Sequence, residues 1–241
     1  MAHERPAVFQ DQARQNLQRV FESNLPPNGL HKVLDAGCGY KLPIDVPRGV
    51  RLSGIDNSQA MLEKNTNADE LILGDIQSYP LPANEYDAVI CWWVLEHVPR
   101  PADALTNMSS SLAPGGLLVL GIPHIWSMKA FVTKLTPYRF HVWVLRHVYG
   151  IADAGKPGVE PMPTYLRHDL APERVKEIVG RERLRPVYTV THRSGAEASL
   201  PRPVRILWNA IAKAASVVTL GRWDPHSDEY VAIFQKEPQP A

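Results

Sequence analysis

The run Val33-Leu34-Asp35-Ala36-Gly37-Cys38-Gly39 constrains the fold of this chain more than any other part of its sequence. A short apolar strand that ends at an acid and continues into Gly-x-Gly brings bare backbone amides close to a ligand, because glycine permits both the tight turn and the close approach. Asp56 follows Gly39 by 17 residues, at the end of a second predicted strand. An acid at that distance is placed to accept hydrogen bonds from both hydroxyls of a ribose.

Short apolar segments alternate with helical ones through the first half of the chain, which predicts a parallel α/β sheet. The predicted strands of this half are 32–35, 51–56, 71–73, 87–92 and 117–122, and its predicted helices are 6–25, 57–64 and 101–112. Further along, we predict helices over 171–183 and 204–220 and strands over 185–190 and 229–236. The strands of a parallel sheet end at one edge, so the residues that follow them should form a single ligand crevice.

A third acid, Asp75, follows the third predicted strand and is placed to accept a hydrogen bond from an adenine amino group, with Ile76 against the ring. A nicotinamide dinucleotide is the nearest rival ligand, but its Gly-x-Gly-x-x-Gly fingerprint needs glycine where Leu42 stands, beside Pro43. A doubly wound domain with ordinary turn glycines is the alternative that involves no ligand.

Several motifs taken together resemble the class I S-adenosylmethionine-dependent methyltransferases over about residues 30–124. They are Asp35-Ala36-Gly37-Cys38-Gly39, Gly54-Ile55-Asp56, Gly74-Asp75-Ile76, Tyr86-Asp87-Ala88-Val89, Leu95-Glu96-His97-Val98 and Leu112-Ala113-Pro114-Gly115-Gly116. The resemblance implies that S-adenosyl-L-methionine is the cofactor. The residues it implies for cofactor binding are Asp35, Ala36, Gly37, Gly39, Asp56, Asn57, Met61, Asp75, Ile76 and Trp92.

Individual roles follow from the same resemblance. Gly37 and Gly39 approach the methionine part of the cofactor, Asp35 faces its amino group, and Trp92 leaves the fourth strand beside the sulfonium. The chain departs from the family at Lys41, where a third glycine is common. Pro43 and Pro47 leave little room for the usual first helix, so we expect it to be one turn long or absent.

The resemblance also implies a Rossmann-like, seven-stranded and mostly parallel sheet with an antiparallel last strand. We expect one methyltransferase domain over 1–241. Its parts are an N-terminal cap helix (6–25), a cofactor-binding core (30–124), a lid with helical insertions (125–228) and the last strand (229–236).

Two histidines are candidate catalytic bases, because an alcohol or phenol acceptor must lose a proton during methyl transfer. His97 follows the fourth strand and His124 follows the fifth, both at the edge where the methyl group should lie. Each has the alternative of a purely structural role in a turn. His141 and His147 are six residues apart on a predicted helix, so they do not share a face, and we predict no metal site.

Charge is distributed unevenly along the chain. Residues 125–222 contain 16 Lys/Arg and 7 Asp/Glu, although the whole chain has a net charge of only +1. This basic block suggests an anionic or membrane-associated acceptor rather than nucleic acid, with solvated surface charge as the alternative. The 131–138 run and Tyr165-Leu166-Arg167 resemble, less specifically, methyltransferases of bacterial cell-surface polysaccharide pathways.

The two cysteines, Cys38 and Cys91, are typical of a reducing compartment, and residues 1–6 lack the apolar core of a signal peptide. We therefore expect a cytoplasmic protein, with contact at the inner face of the membrane through the 204–220 helix as one arrangement and packing of that helix on the protein as the other. The predicted function is methyl transfer from S-adenosylmethionine to oxygen of a small-molecule or glycan- or lipid-linked acceptor. The alternative is a non-catalytic nucleoside-binding protein or a membrane-peripheral scaffold.

Overall fold

The structure is a computed structural model that describes residues 7–26, 28–39, 42, 44–147, 150–156, 161–193, 200, 202–220 and 225–238. Its helices are α1 (Ala7–Ser23), α2 (Gln59–Leu62), α3 (Pro101–Ser111), α4 (Met128–Leu135), α5 (Tyr138–His147), α6 (Pro172–Arg181) and α7 (Arg202–Val218). Its strands are β1 (Lys32–Ala36), β2 (Arg51–Asp56), β3 (Glu70–Leu73), β4 (Tyr86–Trp92), β5 (Leu112–Pro123), β6 (Leu184–His192) and β7 (Glu229–Lys236).

The strands form one seven-stranded sheet in the order β3-β2-β1-β4-β5-β7-β6. The pairs among β1 to β5 are parallel, whereas β7 is antiparallel to both of its neighbours, β5 and β6. The predicted Rossmann-like sheet with an antiparallel last strand is therefore confirmed. The central strands are apolar on both sides because helices cover both faces of the sheet.

Each face of the sheet has its own hydrophobic core. On one face, Leu105 and Met108 of α3 and Val175 of α6 are completely buried against β4 and β5. On the other face, α1 packs through Leu17 and Phe21. The periodic apolar residues of these helices explain why they pack on the sheet. The predicted helix 6–25 ends two residues early, at Ser23, and Pro6 lies outside the described residues.

Within the described residues, the connections after β1 and β2 contain less helix than the connections of a Rossmann-like sheet usually do. Residues 44–50 contain no helix, while Lys41 and Pro43 lie outside the described residues. The predicted helix 57–64 is a single turn, α2, and the Ser58 side chain makes no capping hydrogen bond to it. The helix ends at Leu62, two residues before the predicted end at Lys64, because residues 63–68 form the turn and loop before β3.

The segment 125–228 contains parts of the sheet as well as insertions. Helix α6 and strand β6 belong to the sheet layers, so the residues inserted between core elements are those around α4 and α5 and those around α7. Within the described residues, no helix is both long and apolar enough to cross a membrane.

The start of β1 depends on a carboxylate from β4. Asp87 Oδ2 accepts hydrogen bonds from the backbone amides of His31 at 2.7 Å and Lys32 at 2.9 Å.

We expect Asp87→Ala to lower the free energy of unfolding by about 1.5–3 kcal/mol, the range for hydrogen bonds to a charged group. Urea denaturation measures this change. Asp45→Ala is the matched control because its side chain forms an exposed ion pair with Arg14 at 2.9 Å, which is worth about 0–1 kcal/mol, and its hydrogen bonds with Gln18 use backbone atoms that the substitution keeps. Equal losses in the two variants would contradict this role of Asp87.

Candidate active site

A cavity of about 610 Å³ opens at the carboxyl edge of the sheet, where β1, β2, β3 and β4 end. Its core wall is formed by Gly37, Gly39, Ile55, Asp56, Asn57, Ser58, Met61, Gly74, Asp75, Ile76, Gln77, Trp92, Trp93, Val94, His97, Val98 and Pro99. Its outer wall is formed by Tyr138, Gly155, Lys156, Pro161, Met162, Pro163 and Tyr165. The cavity therefore lies at the crevice that the sequence pattern predicts.

Gly37 makes the turn that forms the floor of this cavity. Its backbone φ is +77°, and a Cβ at this position would lie 2.2 Å from a γ carbon of Val94. The amides of Gly37 and Cys38 both donate hydrogen bonds to the carbonyl of Ile55, at 2.7 and 3.1 Å. Only glycine satisfies both the left-handed backbone and the contact with Val94.

Asp56, at the end of β2, supports this turn and also faces the cavity. One carboxylate oxygen accepts a hydrogen bond from the Gly39 amide at 3.2 Å, and the other accepts one from the Ser58 amide at 2.9 Å. An ionised carboxylate has about four acceptor sites. Asp56 therefore retains acceptor capacity on both oxygens for hydroxyl groups of a ligand.

Asp75 lies on the neighbouring part of the wall, at the start of the segment after β3. Its carboxylate accepts hydrogen bonds from the backbone amide of Gln77 at 3.0 Å and from the Gln77 side chain at 2.9 Å. Ile76 is buried beside it, and its carbonyl accepts a hydrogen bond from Asn107 at 2.8 Å. These contacts fix a carboxylate and an apolar side chain next to each other, as adenine recognition requires.

Asp35 and Ala36 lie behind the cavity wall instead of lining it. Asp35 is only 5% exposed, and burial, with the nearby charge of Asp56, raises its pKa to about 7. Burial and these two acids also raise the pKa of the Cys38 thiol to about 12, so this cysteine is not a thiolate near neutral pH. Asp35 therefore supplies a titratable negative charge directly below the glycine turn.

His97 lies on the cavity wall, and its hydrogen bond defines its tautomer. Nδ1 is 2.8 Å from the carbonyl oxygen of Pro163. Because a carbonyl oxygen only accepts, Nδ1 must carry the proton, and in the neutral ring the lone pair is on Nε2. Nε2 lies 3.8 Å from Oε1 of Glu96, a side chain that is 3% exposed and whose pKa is raised by burial to about 8.

The other predicted base, His124, is not among the residues that line this cavity. It follows β5, and its backbone amide donates a hydrogen bond to the carbonyl of Asp228, just before β7, at 2.9 Å. Burial lowers the pKa of its ring. The structure thus separates two histidines that sequence reasoning placed at the same edge.

Most residues of the outer wall belong to the segment 161–167, which is hydrogen-bonded to the turn that contains His97. The Tyr165 amide donates a hydrogen bond to the Glu96 carbonyl at 2.8 Å, and the Tyr138 hydroxyl donates one to the Pro161 carbonyl at 2.9 Å. Sequence reasoning did not identify Gln77, Val94, Lys156 and Tyr165 as wall residues. The aromatic content of 126–165 could have indicated Tyr165, whereas Gln77 and Val94 lie outside that segment.

Trp92 and Trp93 close the cavity at the end of β4. The Trp92 ring covers Gly121 of β5, where a Cβ would lie 2.4 Å from the ring. Trp93 has a left-handed backbone with φ of +58°, and its amide donates a hydrogen bond to the Gly121 carbonyl at 2.8 Å. Lys129 lies 5.3 Å from the centre of the Trp93 ring. The strained backbone turns the Trp93 side chain toward the cavity.

These residues fit a nucleoside cofactor that carries an amino acid. The cavity has the size of sites for small molecules and cofactors, the spare acceptors of Asp56 match a ribose diol, and Asp75 with Ile76 matches adenine. Among the described residues, no group of three or more His, Cys, Asp or Glu side chains is arranged to hold a metal ion.

Comparison with known proteins agrees with this geometry. Residues 34–120 match the family described as the methyltransferase domain. The ubiquinone biosynthesis O-methyltransferase of Marinobacter nauticus is 34% identical over 97 residues, which are 35% of this chain and 41% of that protein. The chain spans 29–46% of the length of this and the other curated relatives that it matches.

Two solved structures share the fold over nearly the whole chain. An S-adenosylmethionine-dependent methyltransferase from Archaeoglobus fulgidus has a TM-score of 0.54 at 18% identity and covers 94% of both chains. The N-methyltransferase NodS from Bradyrhizobium japonicum, in complex with S-adenosyl-L-homocysteine, has a TM-score of 0.50 at 17% identity, covering 97% of this chain and 89% of that one. The fold shared with these structures and the match of residues 34–120 to a methyltransferase domain agree with a cavity for S-adenosylmethionine at the carboxyl edge of the sheet.

The glycine turn gives a prediction about stability. Gly37→Ala should lower the free energy of unfolding by about 1–2 kcal/mol for the left-handed backbone and by about 1–3 kcal/mol more for the overlap with Val94. Gly29→Ala is the matched control, because Gly29 has φ of +80° but nothing within 4 Å of an added Cβ. Chemical denaturation measures both variants. If Gly37→Ala costs no more than Gly29→Ala, the contact with Val94 does not constrain the turn.

Proposed function

We propose that this protein transfers the methyl group of S-adenosyl-L-methionine to a hydroxyl oxygen of an acceptor molecule, with His97 as the general base. The observation that carries the proposal is the hydrogen bond from His97 Nδ1 to the Pro163 carbonyl. This bond leaves the basic lone pair of the neutral ring on Nε2, and His97 lines the same cavity as Asp56 and Asp75.

The cofactor-binding part of the proposal uses the wall residues of β1 to β4. Gly37 and Gly39 present backbone to the methionine part, Asp56 accepts from the ribose, and Asp75 with Ile76 holds the adenine. Asn57, Met61 and Trp92 complete the wall around the nucleoside. Asp35 and Ala36 lie behind this wall, and the negative charge of Asp35 attracts the amino group of the cofactor.

The bound cofactor supplies an electrophilic methyl group on a positively charged sulfur. The chain must hold the acceptor oxygen in line with that group and exclude water. Nε2 of His97 would take the proton of the acceptor hydroxyl as that oxygen bonds to the methyl carbon. The bond between that carbon and sulfur would break at the same time, leaving its electron pair on the sulfur of S-adenosylhomocysteine. The Pro163 carbonyl stabilises the resulting imidazolium through the proton on Nδ1.

The outer wall defines what the acceptor should look like. Tyr138, Tyr165 and Trp93 offer aromatic surface, and Lys156 offers one cation, which forms an ion pair with Asp153 at 2.6 Å. An apolar or ring-shaped acceptor with a hydroxyl and an anionic group fits this lining. A lipid- or sugar-linked acceptor of this kind agrees with the basic composition of 125–222. The relatives named as O-methyltransferases support oxygen as the target.

Cofactor affinity should depend on pH through Asp35. Its pKa of about 7 means that this carboxyl group is mainly neutral at pH 6 and mainly ionised at pH 8. Since the ionised form attracts the cofactor's ammonium group, we expect S-adenosylhomocysteine to bind several-fold more tightly at pH 8 than at pH 6, as measured by calorimetric titration. In Asp35→Asn, the affinity at pH 8 should fall and its pH dependence should flatten.

Two results would contradict these assignments, one concerning Asp35 and the other the cofactor. An unchanged pH dependence in Asp35→Asn would assign the effect to another group. The absence of S-adenosylhomocysteine binding to folded wild-type protein at either pH would overturn the cofactor assignment. Tight binding without methyl transfer to any hydroxylated acceptor would favour a non-catalytic nucleoside-binding protein.

The two candidate bases are distinguished by the same substitution at each position. His97→Asn keeps a donor for the Pro163 carbonyl but removes the basic nitrogen, so turnover with a hydroxyl acceptor should fall by roughly 10²-fold or more while S-adenosylhomocysteine affinity changes little. His124→Asn should leave turnover within a few-fold of wild type. Both are measured by transfer of a labelled methyl group. Full turnover in His97→Asn, or a large loss only in His124→Asn, is the result that this mechanism does not allow.

A further inference from the structure

Helices α4, α5 and α7 expose most of the large apolar side chains found at the surface of the described residues. On α4 and α5 they are Phe131, Val132, Leu135, Tyr138, Phe140 and Trp143, and on α7 they are Val204, Ile206, Leu207, Ile211, Val217 and Val218. Monomeric proteins seldom expose so many apolar side chains in so few elements. We call these three helices the carboxyl-edge helices.

Helix α7 presents its apolar side to solvent. At 100° per residue, Val204, Leu207, Ile211 and Val218 fall on one side, and they are 46%, 62%, 51% and 82% exposed. Only Ala212 is buried on this helix. A helix that belongs to a protein core has the opposite orientation, with its apolar side inward. The exposed side of α7 is therefore a surface without a partner among the described residues.

The carboxyl-edge helices carry positive charge without any negative charge. Their sequences contain Lys129, Lys134, Arg139, Arg146, Arg202, Arg205 and Lys213, and no Asp or Glu. By contrast, α6 contains both Glu173 and Glu177 among its basic residues. Apolar side chains interleaved with Lys and Arg alone are typical of helices that lie in the plane of an anionic membrane surface.

The sheet topology brings these helices to the edge where the cavity opens. β5 ends at Pro123 opposite Glu229, the first residue of β7, and β6 ends at His192 opposite the same residue. The chain thus leaves the sheet for α4 and α5, and again for α7, at the carboxyl edge. Tyr138, the first residue of α5, also lines the cavity.

We propose that the carboxyl-edge helices dock this protein on an anionic phospholipid surface, with the mouth of the cavity beside the lipid. A second copy of the chain fits this surface less well, because a symmetric contact would place Lys and Arg of one copy against Lys and Arg of the other. Anionic headgroups neutralise the same residues while the acyl boundary covers Phe140, Trp143, Leu207 and Ile211. The proposal is independent of the proposed methyl transfer, because docking requires no cofactor.

The test is flotation of the purified full chain with two kinds of vesicle, phosphatidylcholine alone and phosphatidylcholine with phosphatidylglycerol. We expect binding to the anionic vesicles, at least tenfold weaker binding to the neutral ones, and weakening by added salt. The double variant Leu207→Glu/Ile211→Glu should lose at least tenfold in binding to anionic vesicles. Leu73→Glu is the matched control, since Leu73 is 56% exposed but lies on β3, at the edge of the sheet that is farthest from β6.

Circular dichroism and S-adenosylhomocysteine titration of each preparation show whether it is folded and whether the cofactor site is intact. This separates failure of docking from failure of the proposed function. Docking is overturned if folded wild type does not float with anionic vesicles, or if the double variant and Leu73→Glu lose binding equally. It is also overturned if sedimentation velocity shows a dimer that the double variant abolishes while neither protein binds vesicles.

Discussion

The turn after β1 is held by groups from several neighbouring segments, and the arrangement of the cavity depends on it. Ile55 of β2 accepts from the Gly37 amide, Asp56 accepts from the Gly39 amide, and Asn65 donates to the Gly39 carbonyl at 2.9 Å. Val94 occupies the space that a side chain at Gly37 would need. Because these contacts come from β2, from the loop before β3 and from the segment after β4, the turn has one position relative to the ends of β2 and β4, and the Asp56 carboxylate is fixed with it.

Asp56 shows how one side chain serves both stability and binding. Its two oxygens each accept a hydrogen bond from one backbone amide, which leaves acceptor sites on both oxygens of a side chain that lines the cavity. Asp75 shares its acceptors in the same way with Gln77. A ligand that binds here meets carboxylates that are already oriented, so little conformational entropy is lost on binding.

The sheet could be predicted from sequence because each strand is indicated by a short run of neighbouring residues. Runs such as 88–92 and 117–122 are apolar throughout, as buried parallel strands require, and Asp35, Asp56 and Asp75 end or follow such runs. The cavity's outer wall could not be predicted in this way. The bond between His97 and Pro163 joins residues 66 positions apart, and no periodicity indicates it. The same reason explains why His97 and His124 look equivalent in sequence, although only His97 lies on the cavity wall.

Helix α5 contributes both to the outer wall of the cavity and to the exposed apolar surface, so it connects these two parts of the molecule. On α5, Tyr138 reaches the cavity and donates to the Pro161 carbonyl, whereas Phe140 and Trp143 stack outside with ring centres 6.2 Å apart. The segment that Tyr138 holds also contains Pro163, the acceptor for His97. A movement of α5 that breaks the bond to Pro161 therefore removes the contact between α5 and this segment, two residues before Pro163. The tautomer and orientation of His97 therefore depend on the insertion as much as on the sheet.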